Sequence, residues 1–372
     1  MKKILKTLAL SLLFIPFIAG CKAPVFYEIM RDVAPEEATV NGVITSITRY
    51  RYKSDTEKLV TFSSDGLIWK DANGTAHGQW SCFPDSNQLS GKIIKTAADK
   101  SYLYVVTITF HEDVEKGLNL PDPATLWCYN DKKWDEVKKT PKLNPGNFNI
   151  FCTNDVDNNN RSAYLRIGDK VYELSGKTFP TSKKTTGNFN SAVYFSETAK
   201  DSSTENKHLN NVDNFYFFTS TASVAVEDNT KKKIYWGEGT SLYYCDEETE
   251  PTKALDAGTD ISCLAATKDA LLIGRGDFSN SLISKGGIAK TSLDSDGKPG
   301  NSLESFSTNA TSQLASVYQI YTLLVADPNQ PELNASIYAS MGFKGSGSST
   351  SVSYDNIGLW SYYPARGNWN RE

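Results

Sequence analysis

The chain has 372 residues, with 39 Lys and Arg against 43 Asp and Glu, a formal charge of −4, and 12% aromatic residues. This mildly acidic balance argues against nucleic acid as a partner, because neutralising phosphates takes clustered Lys and Arg. The Lys runs at 132–133, 183–184 and 231–233 are too short to form such a patch and read as solvated turns.

At the N-terminus, Lys2, Lys3 and Lys6 precede an apolar run from Thr7 to Phe17, followed by Ile18, Ala19, Gly20 and Cys21. The run falls short of the roughly 20 apolar residues a spanning helix needs, and small residues precede a cleavage point, so residues 1–20 read as an export signal. Ile18-Ala19-Gly20-Cys21 resembles the lipobox of bacterial lipoproteins, in which the cysteine is acylated and becomes the mature N-terminus. The resemblance implies lipid, including palmitate, on Cys21, a lipidated tether over 21–40 and an extramembrane body over 41–372. Lys22 stands where an aspartate retains Gram-negative lipoproteins at the inner membrane, so the resemblance implies the outer membrane, with the face of that membrane left open. Removing residues 1–20 leaves 352 residues and a formal charge of −7.

Beyond the tether, β-branched and aromatic residues gather in short runs: Gly42 to Tyr52, Lys58 to Ser63, Tyr102 to Phe110, Ala163 to Ile167, Asn214 to Thr219, Lys233 to Trp236, Ala270 to Gly274, Tyr318 to Val325 and Ala335 to Met341. Each has the length of a strand, and Gly, Asn, Asp, Ser and Lys fill the gaps. Long helical periodicity is missing, so the expected class is all-β.

A repeated hairpin selects among all-β architectures. Leu126-Trp127-Cys128-Tyr129 leads to Trp134, Leu359-Trp360-Ser361-Tyr362 to Trp369, and Gly66-Leu67-Ile68-Trp69 to Trp80; weaker copies begin at Lys170, Ser241 and Gly287. Six of the seven tryptophans lie in these hairpins, each behind more apolar strands. A four-stranded antiparallel unit repeated about six times predicts a β-propeller, with six blades expected and seven as the alternative. Leu126 and Val171 are 45 residues apart, a blade's length, whereas Leu67 and Leu126 are 59 apart and need an insertion, for which His111 to Pro123 is a candidate. Further polar insertions are expected at Thr198 to Asn211 and Lys344 to Ser353. The Leu-Trp-x-Tyr…Trp hairpin resembles the outer half of a kelch repeat without its paired inner glycines, and the whole chain resembles the propeller lipoproteins of spirochaetes, which brings no site with it.

Chemistry is sparse. His77, His111 and His208 show no paired spacing, and there is no nucleophile elbow, phosphate loop or dinucleotide fingerprint, so no catalytic residue and no cofactor is expected. Asp155, Asp157 and Asn159 alternate like calcium ligands, but Asn160 stands where the loop needs Gly and Arg166 where it needs a bidentate Glu, so a polar turn is the preferred reading. Asp294-Ser295-Asp296-Gly297 reads as a hairpin turn. Cys82, Cys128, Cys152, Cys245 and Cys263 are odd in number and lack CxxC spacing; most read as small buried apolar residues, with one unassigned disulfide left open.

Two functions fit. The first is a noncatalytic binding or scaffold module on a membrane anchor, holding a protein or glycan through aromatics such as Trp236, Tyr243 and Tyr244; blade packing competes for the same three residues. The alternative is a glycan-active hydrolase or lyase with carboxylates around the central channel. A cluster of Asp, Glu, Arg and Tyr at one mouth would favour the enzyme, and a neutral mouth the binding module.

Overall fold

The structure is a computed structural model that describes residues 40, 44–52, 56–63, 66–72, 78–113, 118–144, 148–152, 161–167, 170–181, 218–220, 233–246, 252–276, 286–306, 319–327, 330–342 and 357–372. Among them the regular elements are strands, apart from two single 3-10 turns at Ser86–Gln88 and Glu332–Asn334. The export signal, Cys21 and the tether apart from Val40, together with the insertions expected after Thr198 and Lys344, lie outside the described residues.

Five four-stranded antiparallel sheets take a β-propeller arrangement, each built from strands consecutive in its own part of the chain. The first sheet contains Thr48–Tyr52, Thr56–Ser63, Gly66–Asp71 and Ser81–Cys82, counted from the inner strand outward. The second contains Lys92–Ala98, Leu103–Ile108, Thr125–Tyr129 and Trp134–Glu136. The fourth contains Phe218–Ser220, Lys233–Glu238, Ser241–Asp246 and Thr252–Asp256, and the fifth Ile261–Ala266, Ala270–Arg275, Gly287–Ser292 and Glu304–Ser305. The sixth contains Gln319–Val325, Ile337–Gly342, Gly358–Tyr363 and Asn368–Arg371.

The third sheet departs from the expectation, because it has only three described strands, Phe148–Cys152, Ala163–Ile167 and Lys170–Leu174. The expected count of six four-stranded blades is therefore corrected to five. The cause lies just past Leu174, where the chain leaves its own sheet. Lys138 and Thr178 form a parallel bridge, the Phe179 amide donates to Lys138 O at 2.8 Å, and Phe179 is buried in the cluster between the second and third sheets.

Every copy of the repeated hairpin begins on the third strand of a sheet. Tyr129 pairs with Trp134 in the second sheet, Tyr362 with Trp369 in the sixth, and Trp69 with Ser81, beside Trp80, in the first. The long first interval is taken up by a separate two-stranded hairpin, Phe110–Asp113 with Leu118–Pro121, inserted between the second and third strands of the second sheet.

Neighbouring sheets bury the inner strands on both faces, which is why Leu103–Ile108, Ile261–Ala266 and Gln319–Val325 are buried at every residue rather than at alternate ones. Separate apolar clusters join the first sheet to the second, the second to the third, the fourth to the fifth and the fifth to the sixth. A fifth cluster, with Leu59, Ile68, Leu324, Tyr338 and Leu359, joins the sixth sheet back to the first. A Cβ on Gly274 would collide with Cys263 Sγ on the paired strand of the same sheet and press on Ile320 of the sixth sheet at 3.0 Å, so no side chain fits there.

The seam between the first and sixth sheets also carries a buried ion pair. Lys70 Nζ lies 2.8 Å from Glu372 Oε2, with the two side chains 1% and 0% exposed. The same carboxylate oxygen accepts from Trp80 Nε1 at 2.7 Å and from the Gly78 amide at 3.1 Å, while Ser361 Oγ donates to Oε1. Lys70 also donates to Tyr363 OH at 3.1 Å, and Tyr363 OH lies 2.7 Å from Tyr338 OH. Such a pair tolerates burial only because nearly all its lone pairs and protons are engaged. We predict that Lys70→Met, which strands a buried carboxylate, lowers the free energy of urea unfolding by about 3–5 kcal/mol. Lys70→Met combined with Glu372→Gln should cost less than the sum of the single variants; additive costs would rule out the coupling.

Candidate functional site

The inner strand of the first sheet holds the sequence Thr48-Arg49-Tyr50-Arg51-Tyr52, whose alternating side chains point to opposite faces. Thr48, Tyr50 and Tyr52 face the second and third sheets: Tyr50 and Tyr52 join the cluster with Phe83, Tyr129 and Trp134, and Thr48 Oγ1 lies 3.1 Å from Cys152 Sγ at the end of the third sheet's inner strand. On the other face of the strand, Arg49 is 4% exposed, in a setting where charges are rarely found without partners.

Around Arg49 the chain gathers a charged cluster. Register places Arg51 opposite Glu57, and Arg51 Nε donates to Glu57 Oε1 at 3.0 Å. Arg161, at the entry to the third sheet's second strand, sends Nη2 to Glu57 Oε2 at 2.8 Å. Exposure falls along this cluster, from 37% for the Arg51 side chain to 14% for Glu57 and 0% for Arg161. Burial, reinforced by repulsion from Arg161, pushes the Arg49 guanidinium below its ordinary range, while Glu57, Asp327 and Tyr338 oppose the shift. A guanidinium nevertheless stays charged. Arg49 Nε and Nη2 are buried without a hydrogen-bond partner among the described residues.

Chemically, this arrangement gathers guanidiniums that can hold an anion, and its central carboxylate, Glu57, meets two of them. No group of three or more His, Cys, Asp or Glu suited to a metal occurs among the described residues, and Asp155, Asp157 and Asn159 lie outside them. Asp294 to Gly297 is a turn, as its sequence indicates: the Asp296 and Lys298 amides donate to Asp294 Oδ1 at 3.0 and 2.8 Å.

The aromatic trio does not form one patch. Trp236 stands opposite Tyr243 in register and Tyr235 opposite Tyr244, so the pleat puts Tyr244 on the face away from Tyr243. Tyr244 packs against the cluster joining the fourth and fifth sheets, which is the blade-packing role weighed for it. The sequence reading passed over Arg49, Arg51, Glu57, Arg161, Lys70 and Glu372. A usable signal existed: Arg49 and Arg51 alternate with tyrosines within a short strand-like run, where two charges on one face call for partners.

Cys82, Cys128, Cys152 and Cys263 are free thiols. Cys128 and Cys263 are buried as expected, Cys152 is half-buried, and Cys82 corrects the reading because it is exposed on the outermost strand of the first sheet. Burial pushes the Cys128 thiol up to about 11 and the Cys263 thiol up to about 12.

No known family profile matches the sequence, and no curated protein is similar to it in sequence. Among solved structures the chain is similar to a PQQ-bound aldose sugar dehydrogenase from Streptomyces coelicolor, at 10% identity and a TM-score of 0.42 over 88% of this chain and 96% of that one. It is also similar to a catalytically inactive virginiamycin B lyase from Staphylococcus aureus with quinupristin, at 10% identity and a TM-score of 0.35 over 82% and 94% of the two chains. A third likeness is to BBS1N in complex with ARL6DN, at 8% identity and a TM-score of 0.37 over 82% and 77%. These neighbours include enzymes and a partner-binding protein, and such low identities bring no activity with them.

Two outcomes follow from the thiols. Iodoacetamide at pH 8 should alkylate Cys82 in the native protein and spare Cys128 and Cys263 until denaturant is added, as read by peptide mass spectrometry; equal labelling of all three would contradict the burial. Because both buried thiols hold their protons more tightly folded than at the ordinary value of 9.0, their stabilisation is complete below about pH 9 and is lost as pH rises through 11 to 12. The unfolding midpoint should fall across that window, and less so in Cys263→Ala.

Proposed function

We propose that this protein is a lipoprotein of the bacterial cell envelope, anchored through acylated Cys21 and probing its surroundings with a noncatalytic β-propeller that binds or scaffolds a partner. The anchor reading is supported by the order of features at the N-terminus: three lysines, an apolar run, small residues and then cysteine. No helix among the described residues is long and apolar enough to cross a membrane, so nothing described competes with Cys21 as the anchor. Lys22 favours the outer membrane as its address.

The observation that carries the binding reading is Glu57, the central carboxylate of the charged cluster, held by Arg51 and Arg161 together. A carboxylate that already meets two guanidiniums is suited to positioning arginines. The alternative, a glycan-active hydrolase or lyase, draws on the same cluster because it gathers arginines with Glu57 and Asp327, and it would need a second carboxylate working with Glu57.

Detergent phase partitioning of cells expressing the full chain tests the anchor. Wild-type protein should enter the detergent phase and incorporate a palmitate analogue, and Cys21→Ser should do neither; a Cys21→Ser protein that still partitions with detergent would sink the reading. Protease added to intact and to opened cells then reports which face of the outer membrane carries the body.

A further inference from the structure

We propose that Arg49, flanked by Arg161, is the gripping residue of a site for the oxyanion group of a small acidic ligand, a carboxylate or a phosphate. The inference rests on the binding-module reading and names the chemistry of what is bound.

Nε and Nη2 of Arg49 form one edge of the planar guanidinium, the fork that meets a carboxylate or phosphate with two parallel N–H···O bonds, and both atoms are buried with no hydrogen-bond partner among the described residues. A buried donor without an acceptor destabilises a fold, and a buried guanidinium cannot relieve the cost by losing its proton. A ligand that supplies the missing acceptors explains why such a group persists there.

The neighbouring carboxylates do not take that role. Glu57 Oε1 accepts from Arg51, and Glu57 Oε2 forms an ion pair with Arg161 without hydrogen-bond geometry. Asp327, just past the sixth sheet's inner strand, attracts Arg49, but neither carboxylate bonds to Nε or Nη2. Among the described residues of the cluster, three guanidiniums face two carboxylates, an excess of positive charge that one anionic group would balance. Arg161 is held in place by Glu57, so a second guanidinium is already oriented before any ligand arrives. Exposure falls from Arg51 to Glu57 to Arg161, and Arg49 is itself 4% exposed, which suits the end of a small ligand better than the face of a macromolecule. A neutral sugar offers Arg49 no charge, whereas a uronate or a phosphorylated compound does.

The test uses the detergent-solubilised full chain, titrated calorimetrically with sodium phosphate, with D-glucuronate and with D-glucose. We expect saturable binding of phosphate or glucuronate, the one that binds identifying the anion, and none of glucose. Arg49→Met should abolish this binding while unfolding, without anion, at the same or a higher temperature than wild type, because it removes an unpaired buried charge. Arg49→Lys, which keeps the charge and loses the fork, should weaken binding at least tenfold. If Arg49→Met does not fold, hydrogen exchange on the wild-type protein decides: the anion should slow exchange in 47–52 and 161–167. Absence of saturable binding by either anion, undiminished binding to folded Arg49→Met, or exchange unchanged in those segments would each overturn the proposal. NMR of the recovered probe separates this failure from that of the broader reading, since a chemically converted probe would refute a noncatalytic body and leave the anion site standing.

Discussion

A ring of sheets must join its last member to its first, and here that closure falls on the seam between the sixth and first sheets. The linear chain brings together residues about 300 positions apart, so loop-closure entropy opposes the contact and strong local interactions have to offset it. The seam answers with two kinds of force. Leu59, Ile68, Leu324 and Leu359 bury apolar surface, and Lys70 meets Glu372 inside a shell of donors from Trp80, Gly78 and Ser361. The aromatic rings of Trp80, Tyr338 and Tyr363 also lie within 5.4 to 5.8 Å of the Lys70 ammonium. Since the Asn368–Arg371 strand completes its own sheet, closure is made by side chains and by the Val40 amide donating to Glu372 O at 3.0 Å, not by exchange of a strand.

The two buried charged sites make an instructive contrast, because the same physics applies to both and gives different answers. Lys70 is saturated: it has a counter-ion, a hydroxyl and aromatic faces, and so reads as architecture. Arg49 carries the same charge at similar burial but leaves one whole edge of its guanidinium without acceptors. Structural ion pairs are self-sufficient, whereas binding sites are incomplete until something arrives. On that contrast, the proposed ligand chemistry belongs to the first sheet's inner strand, and the seam's cohesion to its third strand.

How much of this was legible in the sequence follows from which constraints are local. The hairpin that begins Leu126-Trp127 was readable because its alternation, turn and closing tryptophan fall within a dozen residues, and each copy does begin a third strand. The five-blade count was not, because Phe179 looks like the end of a fourth strand and only the neighbouring sheet, through Lys138, draws it away. The charged cluster was hidden for a related reason: Arg49, Glu57 and Arg161 meet through register and packing, and no spacing encodes that. Tyr244 was misleading in its own way, since an aromatic on an alternating strand looks the same whether its face is covered or open.

The hairpin Phe110–Asp113 with Leu118–Pro121 leaves the second sheet and returns to it where the Asp122 amide donates to Thr109 O at 2.8 Å, so departure and return points are bonded neighbours. Phe110 and His111 are exposed on it, and the blade behind is complete without it. The excursion is therefore a natural grafting port: its length and content can vary while the rungs at its base hold their register. An epitope or fluorophore-binding peptide carried by this excursion would leave the four strands of the second sheet as they are.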